Sequence, residues 1–511
     1  MAVAAVTAFS GLSVIGLGTP ASAAVTIPAK PYDFNGDGFV DEAIGSPYGT
    51  VGTKKFAGFV NIIYGSSAGL NKSKRQVFSQ NTAGVPGGAE TSDHFGYSLA
   101  SGDFDHDGYA DLAIGVPDED TTNGANAGTI DFLWGSPSGL SAAQASAADE
   151  FGAPGAAHRW GESLATGDIE HDGWPELFMT IPGTSNFAWF FFGPEVTAKA
   201  QTTATSRAAR PGKVVNRSAT KTAEGAEGQA GTLSATDVNN SWLATGDVTG
   251  DGHDDVVYAW NDADGAVPEE RHGFVVLPGV VPEGGTQGDL DPATAETVLT
   301  QVNSVTAGDF EADGFADVAV GQTPDSAHPG GQVLVFKGSV NNVAAQPGSV
   351  YPVNQDTASV PGAGEAGDAL GASVAAGDVN KDGKADLAVG APGEDLGAGA
   401  DAGAAFALYG SADGLTGAGS QMFTQNTAGV PGASEKGDKF GTQVTLLDDN
   451  NDGLADLTAG APAENVGDGM IVWLKGTATV LSTAGAVWAD AGTFGVKGKK
   501  AEIGRRLGRL G

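Results

Sequence analysis

Apolar residues in this chain come in short runs cut by Gly, Pro and Asp, which reads as many brief strands. One run, Tyr97-Ser98-Leu99-Ala100, is opened by the pair Phe95-Gly96. An acidic loop follows, then a second strand, Leu112-Ala113-Ile114-Gly115. A turn with proline ends it, as in Gly45-Ser46-Pro47, Gly115-Val116-Pro117, Gly390-Ala391-Pro392 and Gly460-Ala461-Pro462. A third, aromatic and aliphatic strand recurs at 59–64, 129–134, 187–192, 274–277, 333–336, 404–409 and 470–474. A weaker fourth follows, as at Gln76-Val77-Phe78 and Gln421-Met422-Phe423. The opening pair returns as Trp160-Gly161, Leu370-Gly371 and Phe440-Gly441, and Trp242-Leu243 takes its place in the fourth repeat. Four short antiparallel strands per period of about seventy residues is the content of a β-propeller blade.

The acidic loops fix the period. They begin at Asp33, Asp103, Asp168, Asp247, Asp309, Asp378 and Asp448, between 62 and 79 residues apart. Each carries oxygen-bearing side chains at positions 1, 3, 5 and 9 and a glycine at position 6. Such loops wrap a hard cation, and Ca2+ is the usual one. The candidate side-chain ligands are Asp33, Asn35, Asp37 and Asp41; Asp103, Asp105, Asp107 and Asp111; and Asp168, Glu170, Asp172 and Glu176. The next sets are Asp247, Thr249, Asp251 and Asp255, then Asp309, Glu311, Asp313 and Asp317. The last are Asp378, Asn380, Asp382 and Asp386, then Asp448, Asn450, Asp452 and Asp456. Position 7 (Phe39, Tyr109, Trp174, His253, Phe315, Lys384, Leu454) would offer its backbone carbonyl, so its side chain is free to vary. An EF-hand needs Glu at position 12 and a following helix, but here position 12 is Ile44, Ile114 or Val389 inside a strand. Metal-free Asx-turns explain one or two aspartates, not four at fixed offsets in every repeat. The loops should bind unequally. Glu170, Glu176 and Pro175 distort the third, and Thr249 removes a charge from the fourth.

The F-G pair, the D-x-[DN]-x-D-G-x-x-D loop and the G-A-P turn, in that order over residues 31–511, resemble FG-GAP repeats. These occur in the N-terminal propeller of integrin α subunits and in secreted bacterial proteins. The resemblance implies an all-β, seven-bladed β-propeller of four-stranded blades, with up to seven Ca2+ ions in hairpin loops. It also implies ligand contacts on the face opposite those loops. That face would carry Asp118-Glu119-Asp120, Glu394-Asp395 and Glu464-Asn465, with the connections 81–94, 354–368 and 426–438. The chain ends suggest how the ring closes. The loop at Asp33 has no strand of F-G type before it, and Ile503-Gly504-Arg505-Arg506-Leu507-Gly508 aligns with Phe440-Gly441-Thr442-Gln443-Val444-Thr445. The C-terminal segment should therefore supply the first strand of the first blade. The interval after Asp168 holds a polar stretch, 197–236, which reads as a long loop between blades or a disordered insertion, the loop being the simpler reading.

Composition sets the surroundings. The 511 residues carry a formal charge of −36 and no cysteine, so nucleic acid is an unsuitable partner and disulfides are excluded. Residues 1–23 read as a secretory signal peptide ending in Ala21-Ser22-Ala23, though no basic residue precedes Lys30. No later segment approaches a membrane span. The mature chain, 24–511, is expected to be a secreted monomer.

Enzyme signals are weak. Gly65-Ser66-Ser67-Ala68-Gly69 matches G-x-S-x-G, but the turn recurs with Pro137 and Ala412 in place of Ser67. No histidine has zinc-site spacing. The reading is a calcium-binding adhesion or recognition module for cell-surface protein or glycan. The alternative is an extracellular hydrolase or polysaccharide lyase with its site at the propeller channel.

Overall fold

Each repeat folds into an antiparallel sheet, and in every sheet but the first the strands pair in chain order. The computed structural model describes residues 28–141, 156–169, 171–181, 186–191, 210–216, 238–262, 272–280, 289–290, 297–343, 348–397 and 399–508. The expected signal peptide lies outside them. The sixth sheet shows the plan. Ser373–Gly377 pairs with Asp386–Ala391, that strand with Ala404–Tyr409, and that with Thr416–Phe423. The second and third strands are buried along their whole length and the outermost is only partly covered. A strand buried on both faces reads as a continuous apolar run rather than an alternating one, which is the sequence pattern of Leu387-Ala388-Val389.

Among the described residues the repeats give seven sheets, six with four strands and the second with three, Ser98–Gly102, Asp111–Val116 and Thr129–Leu133, beside a separate pair of two-residue strands, Gly279–Val280 and Asp289–Leu290. Four strands were expected in every repeat; the residues after the third strand of the second sheet, 142–155, lie outside the described set. The polar stretch 197–236 corrects one expectation. It is not wholly a loop, because Arg210–Asn216 pairs with Asn186–Phe191 as the outermost strand of the third sheet. At the C-terminus Arg506–Leu507 pairs with the first strand, Glu42–Ser46, through Ile44↔Leu507 and Gly45↔Arg506. That sheet then has four strands, one drawn from the far end of the chain.

Apolar clusters lie between consecutive sheets. Ile62, Leu112 and Ile114 pack between the first and second, and Ala388, Leu457 and Val472 between the sixth and seventh. Ile44, Phe59, Ile471, Trp473, Ile503 and Leu507 form another, which joins the seventh sheet to the first.

The glycines of the G-A-P and F-G motifs meet at these junctions. A Cβ on Gly115 would lie 1.9 Å from the carbonyl oxygen of Gly161, and one on Gly460 would lie 2.1 Å from that of Gly504. No real side chain fits there, so the two motifs allow neighbouring sheets to approach backbone to backbone. Gly115→Ala is expected to force the second and third sheets apart and cost about 1–3 kcal/mol, read as a lower urea midpoint. An unchanged midpoint would show that the junction yields freely.

Candidate metal centres

The acidic loops connect the first and second strands and share one internal wiring. In the first loop, Asp33 accepts the backbone N–H groups of Asp37 at 3.1 Å and Gly38 at 2.9 Å. Asp37 accepts the N–H of Phe39 at 3.2 Å. Gly38 has φ +88°, which lets the chain turn back on itself at this point. Asp41 directly precedes the strand Glu42–Ser46, and its side chain accepts the N–H groups of Phe34 at 3.0 Å and Gly65 at 2.9 Å. Gly65 follows the third strand, so position 9 ties the loop to the sheet. The same contacts recur at Asp111 with Phe104 and Gly135, and at Asp386 with Val379 and Gly410.

Position 9 is thus an acid buried in the sheet. Asp41, Asp111, Glu176, Asp255, Asp386 and Asp456 are fully buried and Asp317 nearly so. Burial pushes the carboxyl of Asp41 up to about 8, that of Asp386 to about 7, that of Asp456 to about 7 and that of Asp317 to about 9. Backbone N–H bonds pull the other way at each, and the loop's other acids push further up. An ionised carboxylate in such a place needs a positive partner.

The donor set fits a hard cation. Asp103, Asp105 and Asp111 offer oxygens within 4.8 Å of one another. In the seventh loop Asn450 donates its amide to Asp456 at 2.8 Å, and its own buried oxygen has no hydrogen-bond partner. Turning that amide over would present the oxygen instead. The second loop is the most compact acidic group, with no amide or hydroxyl among its side-chain ligands. In the fourth, Thr249 stands with its hydroxyl 3.5 Å from Asp255. Glu176 holds the place of the usual Asp and accepts the N–H of Ile169 at 3.0 Å. Glu170 lies outside the described residues.

Three features escape a reading of the loops alone. Lys337 reaches Glu311 in the fifth loop, and Lys475 reaches Asp452 in the seventh at 2.8 Å. Each directly precedes the glycine that binds position 9, where other repeats have Tyr64, Trp134 or Tyr409; that offset was the available signal. These ammonium groups supply part of the charge a cation would bring. Lys337→Met is therefore expected to raise the calcium affinity of that loop several-fold while lowering stability in chelator, measured by titration and melting. A weaker loop after the change would contradict this. The loops also touch in series. The position-8 N–H of Ala110 donates to Asp33 O at 3.0 Å, and Ala316, Ala385 and Ala455 repeat the bond to Asp247, Asp309 and Asp378. Pro175 has no N–H to give. There His106 makes the link, with Nε2 2.8 Å from Gly173 O and its ring stacked on Trp174 at 4.0 Å.

At the opposite end of the sheets the expected recognition loops are partly structural. Gln80, Gln355 and Gln425 donate to Glu119, Glu394 and Glu464 at 2.7, 2.7 and 2.8 Å, tying each connection between sheets to the next hairpin. Asp120 and Asp395 stay exposed. The G-x-S-x-G segment is a turn: Ser66 Oγ donates to Gly69 O at 2.7 Å, and Ser136 and Ser411 do the same to Gly139 and Gly414.

The FG-GAP repeat family matches residues 95–133 and 370–408. The chain is 30% identical to integrin alpha-PS5 of Drosophila melanogaster over 184 residues, which is 35% of this chain and 17% of the integrin. It is 36% identical to the phosphatidylinositol-glycan-specific phospholipase D of Rattus norvegicus over 104 residues, 20% of this chain and 12% of that protein. The bovine protein of the same name is 31% identical over 107 residues, 21% of this chain and 13% of that protein. The chain thus spans under a fifth of each of these relatives. Among the described residues no helix is long and apolar enough to cross a membrane.

Proposed function

We propose, from the premise that this chain carries FG-GAP repeats in an integrin-like, non-enzymatic β-propeller, that it is a secreted, calcium-stabilised recognition or adhesion module. In this reading the seven sheets are the blades of one ring, and the C-terminal strand completes the first blade. The acidic loops hold Ca2+ at one face. The ligand side chains are those named above, with Asp103, Asp105 and Asp111 the strongest set. Bound Ca2+ would supply the positive charge that the buried position-9 carboxylates need. The opposite face, with Asp120 and Asp395 among its exposed groups, contacts cell-surface protein or glycan.

One observation carries the reading: the same buried acid, wired to the same two N–H groups, recurs at the same strand end in successive repeats. Function alone does not require that repetition, but a set of cation clips holding hairpins does. A glycan array and a cell-binding screen of residues 24–511, with calcium and with chelator, test the recognition half. Calcium-dependent binding that is lost on substituting Asp120 and Asp395 together supports it. Equal signal from that variant would move the contact elsewhere, and no binding to any surface would remove the adhesion reading.

A further inference from the structure

The innermost strands of all seven sheets begin around one cavity of about 190 Å³. Each of these strands runs from its F-G end toward its acidic loop, so the cavity lies at the end of the sheets away from the metal centres. Its size is below the roughly 300–1,000 Å³ of sites for drug-sized ligands, which restricts an occupant to something near a single sugar.

The lining is polar and unevenly satisfied. Glu162 is 7% exposed, and its carboxylate takes the guanidinium Nε of Arg159 at 3.3 Å, a guanidinium that also pairs with Asp118. Arg506 comes from the C-terminal strand and lies over the ring of Tyr97, 4.6 Å from the centroid. Its Nε is buried without a hydrogen-bond partner. Ser241 is 5% exposed and its hydroxyl likewise has none. Asn303 uses its carbonyl oxygen to accept the N–H of Thr323 at 2.9 Å, which leaves its amide nitrogen as a donor. Buried donors left unmade are costly, and native structures keep few without a reason. The unused groups are donors around one guanidinium, and Trp242 adds aromatic surface beside them. That combination suits a ligand rich in acceptor oxygens that also carries one negative charge.

We propose that the channel mouth binds a monosaccharide-sized hydroxycarboxylate, a sugar acid, with its carboxylate on Arg506 and its hydroxyl oxygens on Ser241 and Asn303. The ligand is either a free sugar acid or the acidic end of a glycan chain. The site is separate from the recognition loops and is not built from the acidic loops, so its test holds calcium constant.

Isothermal titration of the full chain with sodium glucuronate, glucose and an oligosaccharide ending in glucuronate reads it. Saturable binding of glucuronate is expected, with glucose at least about 10-fold weaker. Arg506→Gln should lose about 10- to 100-fold in affinity and Ser241→Ala several-fold, with melting temperatures near that of the parent. Stronger binding of the oligosaccharide identifies a glycan end as the source; equal binding identifies the free acid. If Arg506→Gln unfolds the chain, Ser241→Ala on a different sheet still decides. The proposal is overturned if glucuronate shows no saturable binding up to about 10 mM, if glucose binds as well, or if Ser241→Ala and a folded Arg506→Gln both bind like the parent.

Discussion

Excess EDTA is expected to lower the melting temperature of the calcium-loaded protein by roughly 10–20 °C. A cation that binds only the folded state adds about 2.7 kcal/mol at one hundred times its dissociation constant. Several loops acting together would multiply that amount, while a chain of this length moves only about 2 °C or less per kcal/mol. The effect should also reverse with acid. Without metal, Asp41, Asp386 and Asp456 have carboxyls raised chiefly by burial, to about 8, 7 and 7. The folded state then binds protons more tightly than the unfolded chain. The stability from that preference is fully present below about pH 4, the unfolded value. It is lost as pH rises through 7 to 8. In chelator the protein should therefore melt higher at pH 5 than at pH 8. With calcium the order inverts, because protons then compete with the metal for the same oxygens. Melting curves at the two pH values, with and without metal, give four numbers. The same pH trend in both conditions would remove the metal from the explanation.

Deleting residues 503–508 is the second large effect. Ile503 and Leu507 are buried in the cluster that joins the seventh sheet to the first, and each would forfeit about 1.5–3 kcal/mol of burial. The deletion also uncovers the edge of Glu42–Ser46, which loses its partners Arg506 and Leu507. An open edge is a template for another chain. We expect a urea midpoint lowered by an amount equivalent to at least about 3 kcal/mol, and self-association on a sizing column. Ile503→Ala separates the two causes, since it opens a cavity of about 2–5 kcal/mol and leaves the strand pairing in place. A truncated chain as stable and as monodisperse as the parent would show that the C-terminal strand is dispensable.

The sequence exposes most of the loops because their acids recur at fixed offsets, and those offsets survive every change at position 7. It exposes most of the second strands because burial on both faces favours short, nearly continuous apolar runs such as Leu112-Ala113-Ile114 and Leu387-Ala388-Val389. Other features stayed hidden for physical reasons. Arg210–Asn216 contains Arg, Pro, Gly and Lys, so an outermost strand there has no apolar pattern to announce it. Lys337 and Lys475 sit just before the glycines that bind position 9, an offset whose meaning becomes plain only once the sheet brings them to Glu311 and Asp452. One irregularity in the sequence marks a special place among the sheets. Position 2 is Phe34, Phe104, Ile169, Val248, Phe310 or Val379 in six loops, but Asp449 in the seventh. Asp449 is fully buried and accepts Trp473 Nε1 at 2.9 Å; burial pushes its carboxyl well up, and the nearby buried Glu42 pushes it further. Apolar positions occupied by acids on both sides of the junction between the seventh and first sheets mark a seam unlike the others.

The central claim is that the acidic loops are calcium sites, and counting the ions tests it most directly. Equilibrium dialysis of residues 24–511 in buffered calcium, followed by elemental analysis, should find about five to seven ions per chain, and about one fewer after Asp111→Ala. One ion or none, or a count that Asp111→Ala leaves unchanged, would contradict the account.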